Sequence, residues 1–181
     1  MGHLDGKAIL LIGAAAGDGE AIARGCVAEG AEVLIADVRD AAGTRVASEL
    51  GKHVAAYLHL DAAQPSDWEL AAAYCASQWG RLDGLVSCAI GQPGVQLALD
   101  ALVDLLEAPG AASVVNVAPS EDAGELTRIV AAELAPRAIR VNAVFPHEDE
   151  GERGLIATTI YLLSDAAAGR TGEEIAVTPD A

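Results

Sequence analysis

The stretch Gly13–Ala21, GAAAGDGEA, stands between an apolar run, KAILLIG at 7–13, and a run with helical periodicity, AIARGCVAEG. A glycine-rich turn between a buried strand and a helix is where nucleotide-binding folds hold phosphate groups, because the first amides of the helix are unpaired. The turn predicts such a fold. It also contains two acids, Asp18 and Glu20, where a pyrophosphate would be expected to lie.

The rest of the chain repeats the alternation of apolar runs and helical segments. Near-continuous apolar runs are typical of strands that are covered on both faces of a parallel sheet. The alternation predicts an α/β fold, a doubly wound, Rossmann-like three-layer αβα sandwich with a mostly parallel sheet of about seven strands. We predict strands at 7–13, 31–37, 53–61, 82–90, 112–118, 139–145 and 173–178, and helices at 19–29, 40–50, 66–79, 96–107, 124–136 and 153–164.

The segment GELTRIVAAELAPR shows the helical period well. Leu126, Ile129, Val130 and Leu134 are predicted to share one buried face, and Pro136 is predicted to end the helix.

Length and composition restrict the possible classes of protein. A chain of 181 residues fits a single domain, 1–181. A net charge of −16 argues against nucleic acid or an anionic membrane as the partner, since both require a basic face. Three scattered cysteines, Cys26, Cys75 and Cys88, fit no disulfide or zinc pattern and are predicted to be reduced and mostly buried. Because no apolar run is long enough to span a bilayer, we expect a cytoplasmic protein.

Two acids follow the second and third predicted strands. Asp37 can accept hydrogen bonds from an adenosine ribose and would repel a 2′-phosphate, so it favours NAD over NADP. Asp61 and Ala62 lie where an adenine ring could be held. The predicted cofactor-binding residues are Gly13, Gly17, Asp18, Gly19, Asp37, Asp61, Ala62 and Ala89.

The acids of the glycine turn compete with a pyrophosphate. Asp18, at or near the helix N-cap, is predicted to satisfy the free amides itself and to stabilise the turn by on the order of 1 kcal/mol, with Glu20 adding to the effect. Two like charges near a bound dinucleotide would cost about 1 kcal/mol each. We therefore expect NAD binding to be weakened rather than abolished.

Nearly the whole chain resembles the short-chain dehydrogenase/reductase family. LDGKAILLIGAAAGDGEAIARGCVAEGAEVLIADV looks like the opening of that family, and LTRIVAAELAPRAIRVNAVFP is similar to its sixth helix and strand. RLDGLVSCAI, ASVVNVA and TTIYLLSDAAAGRTGEEIAVTPDA resemble its fourth strand, its fifth strand and its end. The resemblance implies a Rossmann-like domain, hydride transfer to or from a nicotinamide, and dimers or tetramers in which the sixth helix and last strand commonly form interfaces.

The catalytic pair of the family is missing. The family uses a Tyr and a Lys four residues later, so that the Lys lowers the pKa of the phenol. Here no Tyr-x-x-x-Lys pair exists, and no catalytic residue is predicted. The residues four positions after Tyr57, Tyr74 and Tyr161 are Asp61, Gln78 and Asp165, and the only lysines are Lys7 and Lys52.

The other departures cluster after strands four to six. Ala118-Pro119 stands where the family has a Ser pair, and the chain reaches ELTRIV at 125–130 within five residues of Ser120, so the segment that would carry the Tyr and Lys looks deleted. The substrate loop is reduced to HEDEGERG, and Ile90 stands where a glycine would let the cofactor approach. These positions surround the site of nicotinamide and substrate in a doubly wound fold.

Two functions are consistent with this pattern. The first is a non-catalytic subunit that forms a homo-oligomer, or a hetero-oligomer with a full-length homologue, and possesses residual NAD binding; a nucleotide sensor is a variant of it. The alternative is a minimal NAD-dependent oxidoreductase with another proton donor, such as His147 or Ser120. The acidic loop 147–152 has no recognised metal spacing, so no metal site is predicted.

Overall fold

The structure is a computed structural model that describes residues 2–88, 92–118, 122–146 and 152–177. Strands and helices alternate along these residues, and two short 3₁₀ turns follow the fifth and sixth helices, at Ala135–Arg137 and Asp165–Ala167. The elements are β1 Ala8–Ile12, α1 Gly17–Ala28, β2 Glu32–Asp37, α2 Asp40–Leu50, β3 Ala55–His59, α3 Pro65–Gln78, β4 Gly84–Cys88, α4 Gln92–Glu107, β5 Ser113–Val117, α5 Asp122–Leu134, β6 Arg140–Phe145, α6 Glu152–Leu163 and β7 Glu174–Ala176.

The strands form one parallel sheet in the order β3-β2-β1-β4-β5-β6-β7. The strand order reverses between β1 and β4, which is the switch point at which doubly wound folds bind their ligands. Gly13, at the end of β1, and Cys88, at the end of β4, lie on either side of this point. The predicted doubly wound α/β fold is therefore confirmed.

Two apolar layers cover the sheet because alternate residues of each strand point to opposite faces. In β1, Ile9 and Leu11 contribute to the core beneath α1, α2 and α6, while Leu10 and Ile12 contribute to the core beneath α3, α4 and α5. Both cores are built mainly from Ala, Val, Leu and Ile, with Trp68 the largest buried side chain. Within the described ranges, no helix is both long and apolar enough to cross a bilayer.

The buried face of α5 differs from the predicted one. Thr127, Val130, Ala131 and Leu134 are buried, with the spacing of one helical face, whereas Ile129 is 59% exposed. The prediction for Ile129 was wrong because periodicity defines an apolar stripe but not its angle to the sheet. The helix ends at Leu134, two residues before the predicted end, and Pro136 lies in the following 3₁₀ turn.

Candidate functional site

The turn between β1 and α1 requires glycine at two positions for steric reasons. Gly13 has φ +74°, and a Cβ there would lie 2.7 Å from the carbonyl oxygen of Cys88. A Cβ on Gly19 would collide with the carbonyl oxygen of Gly13. These close approaches hold the turn against the end of β4. Gly17, with φ +60°, has open space around its missing Cβ.

The two acids of the turn behave differently from the prediction. The N-cap of α1 is Ala16, which makes no side-chain capping bond. Because the helix begins at Gly17, Asp18 already lies within the first turn. Its side chain is exposed and makes no hydrogen bond to the described residues, so the prediction that Asp18 caps the helix was wrong.

Glu20 lies one residue beyond Gly19 and is paired with two cations. Its carboxylate accepts hydrogen bonds from Arg24, at 2.6 Å, and from Arg45 of α2, at 2.9 Å. These two guanidinium groups, Arg45 first, lower the pKa of Glu20. The predicted repulsion between Glu20 and a bound pyrophosphate is therefore offset by two positive charges.

Asp37, the last residue of β2, is buried against the glycine turn. Its Oδ2 accepts a hydrogen bond from the amide of Ala15 at 3.1 Å, and its Oδ1 accepts one from the amide of Arg39 at 3.0 Å. The Arg39 guanidinium adds two more, from Nε to Oδ1 at 2.9 Å and from Nη2 to Oδ2 at 2.8 Å. The Arg39 side chain, followed by the two amides, lowers the pKa of Asp37 to about 2.

Sequence reasoning missed two residues next to Asp37. Arg39 stands two positions after the acid in the sequence, but this spacing alone does not indicate that its side chain folds back onto Asp37. Val38 is 55% exposed at the same corner, which is unusual for an apolar side chain in this chain.

The hydroxyl of Tyr57 lies 2.7 Å from both the Asp37 carbonyl oxygen and Oδ1 of Asp40, and so joins β3 to the corner.

The corner after β3 is held by hydrogen bonds within the chain. The amide of Asp61 donates to Oδ2 of Asp67 at 2.9 Å, and Oδ1 of Asp61 accepts from the amide of Ala63 at 3.0 Å. The buried Trp68 donates from Nε1 to the carbonyl oxygen of Ala62 at 3.1 Å. The structure thus places Asp61 and Ala62 in a fixed turn beyond the end of β3.

The ends of β4 and β5 contain uncharged polar groups. The hydroxyl of Ser87 donates to Oδ1 of Asn116 at 3.3 Å, and Nδ2 of Asn116 donates to the hydroxyl of Thr127 at 3.2 Å. All three side chains are buried, and Thr127 belongs to α5. This chain of bonds joins two strands to a helix but contains no acid or base. Ala89, Ser120 and His147 lie outside the described residues.

The lysines and tyrosines lie away from the ends of β4 and β5. Lys7 directly precedes β1, where its Nζ lies 2.8 Å from Oδ1 of Asp165, and Lys52 lies in the turn before β3. Both lysines are therefore at the amino edge of the sheet. Tyr161, in the last turn of α6, accepts a hydrogen bond from Arg170, and Tyr74 packs edge-on against Trp79 beyond the end of α3.

The cysteine thiols show no activation. Cys26 and Cys75 are buried as predicted, whereas Cys88 is only partly buried. Burial raises the pKa of each of these thiols to about 12, so little thiolate exists near neutral pH. Among the described residues, no group of three or more His, Cys, Asp or Glu side chains is placed to hold a metal ion.

The arrangement fits the adenosine half of a dinucleotide better than its nicotinamide half. The glycine turn, the open space at Gly17 and the amides at the start of α1 would receive a pyrophosphate, and Asp37 and Asp61 flank the place of the adenosine. A nicotinamide dinucleotide supplies hydride chemistry when it is bound. On the nicotinamide side, the described residues provide no lysine or tyrosine that could move a proton.

Comparisons with known proteins agree with this geometry. The sequence model for the family "short chain dehydrogenase" matches residues 7–118. The chain is 32% identical to a 3-alpha-(or 20-beta)-hydroxysteroid dehydrogenase of Mycobacterium bovis over 218 aligned positions, which cover 97% of this chain and 81% of the relative. The alignment is longer than the 181 residues of this chain, so the relative contains segments that have no counterpart here.

Solved structures share the fold. A short-chain type dehydrogenase/reductase from Mycobacterium marinum superposes with a TM-score of 0.88 at 22% identity, covering 96% of this chain and 94% of the other. A 3-ketoacyl-(acyl-carrier-protein) reductase from Brucella melitensis, complexed with NADH, gives 0.88 at 24% identity, covering 96% and 97%. The chain belongs to the short-chain dehydrogenase/reductase family, whose members generally bind NAD(P).

Proposed function

We propose that this chain is a non-catalytic subunit of the short-chain dehydrogenase/reductase family. It associates with itself or with a full-length homologous dehydrogenase, and it retains weak binding of NAD through the adenosine half of the site. The observation that carries the proposal is the position of the lysines: Lys7 and Lys52 both lie at the amino edge of the sheet, opposite the edge where the family performs its chemistry.

Because both lysines lie at the amino edge, no lysine among the described residues is placed beside a tyrosine at the opposite edge. A phenol with an ordinary pKa near 10 is a poor proton donor or acceptor at neutral pH unless a neighbouring cation lowers that pKa. The only tyrosine near the carboxyl edge, Tyr57, has its pKa raised by burial and by the carboxylate of Asp40. Proton transfer by the mechanism of the family therefore has no donor in this chain.

The outer side of α6 supports an associating role. Ile156, Ala157, Ile160 and Tyr161 line a groove of about 450 Å³ that also contacts Glu29 at the end of α1. Grooves with apolar walls and a few polar groups commonly bind ligands or partner surfaces. We assign the association to this face because apolar side chains of α6 line an open groove there.

Sedimentation of the purified chain tests the association. Ala157→Arg places a charged side chain in the groove and is expected to shift an oligomer to the monomer. Ala73→Arg, at an exposed position of α3, is the matched control and is expected to leave the assembly unchanged. If the wild-type chain is monomeric and captures no homologous dehydrogenase at native expression, the proposed associating role is wrong.

A calorimetric titration with NADH separates the subunit from the alternative enzyme. Weak binding without oxidation of NADH by carbonyl compounds supports the non-catalytic subunit. Turnover of NADH that is lost in His147→Ala or in Ser120→Ala would instead support the minimal oxidoreductase. The absence of binding at millimolar NADH would exclude that enzyme and would also remove NAD binding from the proposal.

A further inference from the structure

A small cavity opens at the amino edge of the sheet, opposite the edge that contains the candidate nucleotide site. Its volume is about 80 Å³. The walls of this amino-edge cavity include Glu32 at the start of β2, Lys52 and His53 before β3, Tyr74 in α3 and Trp79 directly after α3. Pockets that hold a whole metabolite usually measure about 300 Å³ or more, so this cavity fits a single small head group.

Two aromatic rings form a corner in the cavity. The centroids of Tyr74 and Trp79 lie 6.3 Å apart, and the planes of the two rings meet at 85°. Both side chains are only partly buried, so a ligand can reach them from the solvent. The face of an aromatic ring carries negative partial charge and attracts a cation. Two rings at right angles on one small cavity therefore favour an alkylammonium group, whose charge is surrounded by apolar carbon atoms.

The polar groups at this corner also favour a positive charge. Nε1 of Trp79 donates a hydrogen bond to Oε2 of Glu32 at 2.9 Å, which fixes the carboxylate beside the rings. A carboxylate has about four acceptor positions, so Glu32 can bind a cation without giving up this bond. The last turn of α3 contains no basic residue. The negative end of the helix dipole, next to Trp79, is therefore not neutralised by that turn.

Two further side chains border the cavity on its outer side. Lys52 and His53 are exposed in the turn before β3. The Lys52 ammonium competes with a bound cation, but solvent and salt screen charges at exposed positions. The net charge of −16 acts in the opposite direction, because it raises the local concentration of cations around the protein.

We propose that the amino-edge cavity binds a small alkylammonium group, the methylated or primary head group of an amine. The rings of Tyr74 and Trp79 contact the carbon atoms around the nitrogen, and Glu32 balances the charge. A hard metal ion is a poor occupant, because Ca²⁺ and Mg²⁺ take about six or more oxygen ligands and the corner offers one carboxylate. The site does not use the nucleotide corner or the groove beside α6, so it goes beyond the proposed function.

Titration with choline chloride, followed by NMR of the indole N–H groups, tests the inference. The chain contains two tryptophans, and Trp68 is an internal control because it is buried and bonded to the carbonyl oxygen of Ala62. The Trp79 signal, assigned with Trp79→Phe, should shift and saturate with a dissociation constant of about 1–10 mM. The Trp68 signal should not move.

Two additives separate charge from shape and from ionic strength. The neutral analogue of choline, in which a carbon atom replaces the nitrogen, should bind at least about 10-fold more weakly, because it has the same shape without the charge. Sodium chloride at the same concentration should not reproduce the saturating shift of the Trp79 signal.

Four variants assign the binding to the cavity. Glu32→Gln keeps an acceptor for Trp79 but removes the charge, and should weaken choline binding about 5- to 10-fold. Tyr74→Leu removes one ring and should weaken it about 3-fold or more. Lys52→Gln removes the competing cation and should strengthen it about 2-fold. Glu69→Gln, at an exposed position of α3, is the matched control and should change nothing. Thermal unfolding establishes that each variant is folded.

Three results would overturn the inference. The first is no saturable shift of the Trp79 signal up to about 50 mM choline, and the second is an equal shift with the neutral analogue or with sodium chloride. The third is equal affinity of Glu32→Gln and Glu69→Gln for choline. Calorimetry with NADH and sedimentation measure the proposed function separately, so its failure and the failure of this inference are distinguishable.

A second probe identifies the source of the alkylammonium group. The amide of N-acetyl-trimethyllysine has the same head group as choline on a protein side chain. If it binds about 10-fold more tightly than choline, the cavity recognises a methylated lysine of a partner protein. Equal or weaker binding assigns the cavity to a free amine. Both results support the alkylammonium site.

Discussion

The ends of β1–β3 and the ends of β4–β5 belong to the same sheet but contain different chemistry. The first group of ends bears carboxylates, of which Asp37, Glu20 and Asp61 are bonded to amides or guanidinium groups. The second bears the uncharged pair Ser87 and Asn116. Apolar cores cover both faces of the sheet in each half, and the two halves differ in the polar groups at one edge.

This comparison shows that the doubly wound fold does not depend on its catalytic groups. The helices pack on the sheet through Val, Leu, Ile and Ala, which are apolar residues that take no part in acid–base chemistry. Some of the polar groups at this edge of the sheet also have a structural role. Asp37, for example, joins the end of β2 to the glycine turn through Ala15.

The largest effect is expected for the tryptophan that supports the corner after β3. Trp68→Ala removes a fully buried side chain and its hydrogen bond to Ala62, and should lower the free energy of unfolding by about 3–5 kcal/mol. Trp79→Ala is the matched control, because the partly exposed Trp79 bonds only to Glu32 at the surface. Urea unfolding measures the free energy of unfolding of both variants. Equal losses would show that Trp68 stabilises the fold no more than the surface residue Trp79 does.

The next effect is a dependence of stability on pH. The pKa of Asp37 is about 2 in the folded chain and ordinarily 3.8, so its contribution, on the order of 2 kcal/mol, is complete above about pH 4 and is lost as pH falls toward 2. The difference in unfolding free energy between the wild-type chain and Asp37→Asn should shrink by about 1 kcal/mol from pH 7 to pH 3. The other carboxylates titrate in both proteins and cancel. A constant difference would contradict the bonding described for Asp37.

An effect of similar size tests the uncharged half. Asn116→Ala leaves the buried hydroxyls of Ser87 and Thr127 without their partner and should cost about 1–3 kcal/mol of unfolding free energy. Thr127→Val is combined with it in a double-mutant cycle. Because the two residues share one hydrogen bond, the double variant should lose less than the sum of the single losses. Strict additivity would show that the bond between them contributes nothing.

The smallest effect concerns Glu20. Its pair with Arg24 lies within α1, and its pair with Arg45 joins α1 to α2. Both are near the surface, where ion pairs contribute little, so Glu20→Gln should cost less than about 1 kcal/mol. Raising the salt concentration to about 0.5 M should reduce this cost further, because salt screens exposed charges. A loss of unfolding free energy comparable to that of Trp68→Ala would contradict the small contribution that we assign to the surface ion pairs of Glu20.

Much of the fold could be predicted because it follows from local patterns. The glycine turn, the run of apolar strands and the helical periods are all visible within windows of ten to twenty residues, and each predicted strand and helix occurs in the structure. The angle of α5 could not be predicted in this way. Ile129 and Val130 are both apolar, and only the packing of the helix on β6 determines which of them is buried.

The sequence by itself determined the class of fold, the membership of the family and the loss of the Tyr-x-x-x-Lys pair, because these are properties of residue types and spacings. Only the tertiary structure decided what the glycine turn and its acids do. It brings Ala15 to Asp37, 22 positions away, pairs Glu20 with Arg45 of the next helix, and leaves Asp18 without the capping role that its position suggested. Hydrogen bonds and ion pairs depend on distances of about 3 Å between atoms, and residue spacing along the chain does not specify those distances.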